Sequence, residues 1–327
     1  MTVFKYLIML LLFSILSFTH ASSTNNAKTN LHKQKKLAYI VSDIRIPFWK
    51  IMAKGIKNAS DSLGYDFEIY DAQNSAKKEL EVTIKAIQDN VSGIIVSPTN
   101  SSACVTILKL AQNAGIPVVV ADIGADSGEY VSYISSNNRQ GAYEIGKVLV
   151  KKMREKNWQN GLVGIIAIPQ KRLNGQERTA GFMHALDEAN IKGADIKQFI
   201  KWTEEETYNY SKEMINNYPN LRAIWLQTSN LYDGALRAIK DLGKKDEIIL
   251  IAFDAEPVFL DLIPKGVIIG SGMQQPYLMG EEAATTMGKH LNGQKVEKNI
   301  QLPILTISTD NIAKKLPLIH RNVLGME

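Results

Sequence analysis

The chain has 327 residues, with 38 Lys and Arg against 33 Asp and Glu and a single cysteine. That length allows two domains of ordinary size. The net charge of +5 is mild and the lysines are spread along the chain, so no nucleic-acid or membrane footprint is expected, and a lone Cys104 excludes an intramolecular disulfide.

Residues 1–21 read as a secretory signal. They have a charged start at Lys5, an apolar run over 6–18 and a small-x-small site at Thr19-His20-Ala21. The segment is too short and wrongly flanked for a membrane span. With no cysteine near the site a lipid anchor is not expected, and cleavage after Ala21 would release the chain into the periplasm. Residues 22–36 are polar and basic without an apolar period, which predicts a disordered lead-in.

An apolar run over 37–41 then breaks at Ser42-Asp43, and a loop offers Pro47-Phe48-Trp49. A helical segment follows, and a second apolar run ends at Asp71. This is a βαβ unit with polar and aromatic side chains at the carboxyl end of its first strand, where open α/β sheets bind small molecules. A plain structural reading also fits, because any strand-to-helix loop needs polar groups and an aromatic just inside a helix is often core.

The pattern continues with helices over 76–89 and 101–114 and strands over 93–96, 116–121 and 130–134. The second half alternates helices over 139–156, 175–189, 205–217, 232–242, 256–263 and 277–291 with strands over 162–168, 196–201, 223–227, 248–253 and 267–270. The strands are short apolar runs without alternation, as in parallel sheets covered on both faces. Alternating βα units predict a doubly wound α/β architecture, and so many strands predict two lobes, split near 135–138. Gly64, Gly115, Gly193 and Gly243 follow amphipathic segments as helix stops. Cys104 falls on the apolar face of a predicted helix and reads as a small buried hydrophobe.

The strand ends carry the chemistry. Ser42, Asp43, Ser97, Asp122, Ser136, Trp202, Thr228, Asp254 and Gln274 each lie where an apolar run closes. Two lobes with polar groups at their strand ends describe a cleft with facing walls. One carboxylate can accept from two neighbouring hydroxyls, so Asp122 and Asp254 suit a polyhydroxylated ligand. Phe48, Trp49 and Trp202 would offer flat apolar faces to the C–H side of a sugar ring. The competing reading is that both aspartates cap loops or helix starts.

The chain resembles the ribose-type periplasmic sugar-binding proteins of bacterial import systems, a family related to autoinducer-2 receptors. The matching segments include IVSDIRIPFWKIMAKG, IIVSPTNSSA, IPVVVAD, ERTAGF, IAFDAEP and SGMQQPYLMG, in the family's order along the mature length. The resemblance implies two doubly wound parallel-sheet lobes, type I periplasmic-binding-protein-like, joined by a three-stranded hinge. The N-lobe would take 37–136 plus 275–303 and the C-lobe 137–274 plus 304–327. It places Ser42, Phe48, Trp49 and Asp122 on the N-lobe wall, Ser136 at the crossover, and Trp202, Thr228, Asp254 and Gln274 on the C-lobe wall. Arg is usual in the family after the Asp matching Asp122 and where Gln176 stands. Here the first is Ile123 and the second is neutral, so the aligned pocket keeps two carboxylates and loses both guanidinium groups. That departure puts ribose itself in question, with a deoxy sugar, a polyol, an amino-bearing ligand or a furanone signal still open. Arg45 or Arg178 could compensate.

There is no Walker loop, G-x-S-x-G elbow or H-E-x-x-H, and His32, His184, His290 and His320 stand apart from one another. No enzyme activity, cofactor or metal is expected. The family resemblance implies a monomeric solute receptor for the permease of an ABC importer. The alternative is a periplasmic sensor that reports a sugar-like or autoinducer ligand to a membrane histidine kinase or similar signalling protein.

Overall fold

Strand β1 (Lys36–Val41) is buried along nearly its whole length, and so are β3 (Gly93–Ser97) and β4 (Val118–Ala121). Such runs cannot face water on either side, and the computed structural model, which describes residues 35–326, builds them into parallel sheets covered by helices. The predicted signal and all of the predicted lead-in up to residue 34 lie outside the described residues.

The first sheet has strand order β11-β5-β4-β3-β1-β2, with β2 at Asp66–Asp71, β5 at Ser132–Ser136 and β11 at Asn299–Leu302. The second has order β12-β10-β9-β8-β6-β7, from β6 (Leu162–Ala167), β7 (Gly193–Gln198), β8 (Leu221–Leu226), β9 (Ile249–Phe253), β10 (Gly270–Met273) and β12 (Leu305–Ser308). All pairs are parallel except β10 with β12. The edge strands β2 and β7 are half exposed and carry charges such as Glu68 and Lys197, which discourages pairing with another chain.

Helices α1 (Pro47–Ser62), α2 (Ala76–Gln88) and α3 (Ser101–Asn113) flank the first sheet, with α9 (Pro276–Leu291) returning to it. Helices α4 (Asn138–Glu155), α5 (Leu173–Glu188), α6 (Glu204–Asn217), α7 (Tyr232–Asp241) and α8 (Phe259–Leu262) flank the second, followed by α10 (Ile312–Leu318) and a π-helical turn, Ile319–Val323. Local chemistry starts them. Proline opens α1 and α9, and the side chains of Ser75, Asn100, Asn137 and Thr203 cap α2, α3, α4 and α6.

Each half is locked by a helix pair that meets through glycine. A Cβ on Gly55 of α1 would lie 2.1 Å from the Tyr277 carbonyl oxygen of α9, and one on Gly181 of α5 would lie 2.0 Å from the Arg139 carbonyl oxygen of α4. Only glycine permits these approaches.

The chain passes between the sheets three times: from β5 into α4, from β10 into α9, and from β11 to β12 through Pro303-Ile304. The C-terminal turn packs Ile319, Val323 and Leu324 into the second core, while Lys54 of α1 donates to the Gly325 carbonyl at 2.5 Å. Sequence reading misplaced two strands, since β7 covers Gly193–Gln198 rather than 196–201 and β10 covers Gly270–Met273 rather than 267–270. It also missed β11, β12 and α10. β7 and β11 are half-exposed edge or crossover strands and β10 is Gly-Ser-Gly-Met, so none of the three has the apolar run that announces a buried strand.

Candidate functional site

In a parallel sheet every strand ends on the same side, so the loops after the strands gather at one rim. Asp122 follows β4 of the first sheet, while Thr228, Asp254 and Gln274 follow β8, β9 and β10 of the second. Together with Phe48 and Trp49 at the start of α1 and Trp202 before α6, they line one cavity. The cavity is partly open to solvent, with ≈ 460 Å³ of empty space that includes its open mouth.

The walls are charged. Asp254 accepts from Gln274 Nε2 at 2.7 Å and from Arg178 Nη1 at 3.4 Å. The Arg178 guanidinium is held by the Asn138 side chain and the Gln227 carbonyl, both at 2.9 Å, and lies 4.1 Å from the Phe253 ring centre. Across the cavity Asp122 is 2% exposed and accepts from Asn174 Nδ2 at 3.2 Å, with no ion pair among the described residues. Burial pushes its carboxyl up to about 6, against the pull of Arg178 and Arg172. Burial likewise raises Glu256, which the Ser229 hydroxyl partly offsets. Asp122 Oδ1, Asn174 Oδ1, Gln274 Oε1 and Trp202 Nε1 are buried with no hydrogen-bond partner among the described residues. These three acceptors and one donor belong to residues that line the cavity, and unpaired buried groups of this kind are costly.

Three of the lining residues are held in the left-handed backbone region: Asp122 at φ 63°, Trp202 at 58° and Asp254 at 66°. Such geometry costs on the order of 1–3 kcal/mol for residues other than glycine, with aspartate among the more tolerant. The Trp202 loop is held by Glu206, whose carboxylate accepts from the N–H groups of Ile200, Lys201 and Trp202 at 2.8, 3.0 and 2.8 Å. Burial would raise the Glu206 carboxyl, yet these bonds and the Tyr210 hydroxyl hold it below its ordinary value.

Of the residues singled out from sequence, Phe48, Trp49, Asp122, Trp202, Thr228, Asp254 and Gln274 come together in this cavity. The others lie elsewhere. Asp43 is tied to Arg45 through a two-pronged pair at 2.8 and 2.7 Å, so Arg45 does not enter the cleft. Ser97 accepts from the buried Tyr39 hydroxyl at 3.1 Å. Ser42 and Ser136 are buried behind the wall, each with a hydroxyl that has no partner among the described residues. Gln176 turns outward and donates to the Gln170 carbonyl at 2.8 Å.

Sequence reading missed Arg172, Asn174, Ser229, Asn230 and Glu256, and left the role of Arg178 open. The two family-aligned positions, Ile123 and Gln176, supply no guanidinium, but the pocket holds two from elsewhere: Arg172, from the turn after β6, and Arg178 of α5, one of the two candidates left open as compensation. Both were within reach of the sequence. The end of β6 obeys the same strand-end rule as the others, and Arg178 shares a helix face with Asn174, Gly181, Phe182 and Ala185, so it was a charge on a buried stripe.

A family model described as periplasmic binding protein domain matches residues 37–295. The chain is 28% identical to the ribose import binding protein of Escherichia coli (strain K12), over 87% of this chain and 93% of that one. It is 27% identical to the D-apiose import binding protein of Actinobacillus succinogenes, over 83% and 86%. Its fold is similar to a carbohydrate transporter solute binding protein from Agrobacterium radiobacter solved with D-arabinose. There the TM-score is 0.81 at 22% identity, covering 89% of this chain and 99% of that one. No helix of the described residues is long and apolar enough to cross a membrane, and no cluster of metal-ligating side chains occurs among them.

Proposed function

The chain belongs to the periplasmic binding protein domain family, and from that membership we propose that it captures one small sugar or sugar-like molecule between its two sheets and delivers it to an ABC importer. The observation that carries this reading is the pairing of Asp122 with Asp254. They stand at strand ends of opposite sheets yet line one cavity, among buried acceptors that hydroxyl groups would satisfy. The similarity to import binding proteins, which are not enzymes, supports transport over the sensor alternative. Export through the signal read in residues 1–21, with cleavage after Ala21, belongs to the same proposal, as does action as a monomer.

The ligand class is a polyhydroxylated ring. Arg172 and Arg178 supply the donors that Ile123 and Gln176 do not, so ribose is a candidate alongside other pentoses and polyols. Uptake of radiolabelled D-ribose, D-apiose and D-arabinose by a deletion strain tests delivery: loss of uptake of the sugar that the purified protein binds is expected. Normal uptake of that sugar beside a lost transcriptional response would reject import in favour of sensing.

A further inference from the structure

We propose that Arg172 is the closure latch of this cleft: a positioning residue that reaches from the second half to the first and ties ligand contact to the closed form. It rests on the sugar-binding reading of the cleft only for its role toward a ligand; the latch itself does not.

Arg172 stands at the N-cap of α5, in extended conformation, and its side chain makes no capping bond. It crosses the cleft instead, donating from Nε to the Thr99 carbonyl of the first half at 3.1 Å. The neighbouring residues cross with it. The Leu173 N–H, one of the helix-start donors with no partner inside α5, donates to the Ser101 hydroxyl at 3.3 Å, and Asn174 donates to Asp122 at 3.2 Å. Leu173 packs so closely on Gly124 that a Cβ there would lie 3.2 Å from its Cδ2.

The receiving loop is fixed from behind. The buried Glu79 carboxylate accepts from the Thr99 N–H at 2.7 Å and from its hydroxyl at 2.9 Å, which leaves the Thr99 carbonyl free to face the cleft. The guanidinium lies 5.5 Å from the Trp202 ring centre and is 7% exposed. Arg172 therefore touches both halves, the cavity and the aromatic that faces the ligand. Opening the cleft must break all three cross-cleft bonds at once and return a guanidinium to water.

The latch predicts a readout that a merely structural residue would not move. Spin labels on cysteines at Ser102 and Lys201, both exposed and on opposite sides of the cleft, report the distance between the halves, and Cys104 is wholly buried. In the protein without sugar, Arg172→Ala should reduce the short-distance population. With whichever of D-ribose, D-apiose and D-arabinose binds the wild type most tightly, affinity should fall about tenfold or more, the worth of a charge-assisted bond. Arg172→Lys keeps the charge and guards against a folding defect; it should melt like the wild type and still lose the short-distance population. Distance distributions in both variants identical to the wild type would overturn the latch. Silence of all three sugars toward the wild type would instead reject the sugar-binding reading and leave the sugar-free comparison intact.

Discussion

At the scale of single residues, the cleft is organised around carboxylates held in unequal surroundings. Asp122 has no cation in contact, and burial brings its carboxyl to about 6. Hydrogen bonds from ligand hydroxyls favour its ionised form, so binding lowers that value and releases a proton. Affinity should therefore weaken as pH falls through about 6, while Asp122→Asn flattens this dependence; calorimetry between pH 5 and 8 in buffers of different ionisation heat measures both. The groups facing Asp122 are Arg178, Asp254, Arg172 and Asn174. Glu206 has the opposite sign. Its carboxyl is held below its ordinary value, so the stability it contributes is present above that value and lost as pH falls through the folded one. Removing it with Glu206→Ala frees three N–H groups and the strained Trp202, and should cost about 2–3 kcal/mol in urea denaturation. Seven of the cleft residues were legible because strand ends can be found from apolar runs. The crossing of Arg172 was not, because it depends on contact with a segment 73 residues away; the left-handed Trp202 and its Glu206 support are local, within six residues, but no apolar run announces them.

At the scale of elements, the alternation of strands and helices was readable because a parallel sheet with both faces covered forces uninterrupted apolar strands. Elements that lack that burial escaped: β11 is half exposed, and β12 is a four-residue strand that completes an edge. The glycine crossings were equally silent, since nothing in a local window distinguishes Gly55 or Gly181 from a helix-weakening residue. They should prove essential. Gly55→Ala forces α1 from α9 and Gly181→Ala forces α4 from α5, and each is expected to destabilise by about 1–3 kcal/mol. Alanine is the better helix former, so local propensity alone gives the opposite sign. Chemical denaturation of the two variants decides between them.

At the scale of the whole molecule, two sheets are linked by three crossings with the cavity between them, and closure about those crossings is the motion expected on binding. The C-terminal turn spans both halves, through its core packing on the second and the Lys54 bond to Gly325 on the first. Small-angle scattering with a bound sugar should show a smaller radius of gyration than without it, and an unchanged profile would count against hinge closure. The claim on which everything else depends is that Asp122 and Asp254 face one sugar. Asp254 serves Arg178 and Gln274 as well as the cavity, so Asp254→Ala should cost about 2–4 kcal/mol of binding, some of it from partners left unsatisfied. Titration calorimetry of the mature protein and of Asp254→Ala against D-ribose, D-apiose, D-arabinose and myo-inositol tests it directly. One saturable site for at least one compound, weakened about thirtyfold or more in the variant, is the expected result. Binding within threefold of the wild type in Asp254→Ala, or no binding of any compound to the wild type, would contradict it.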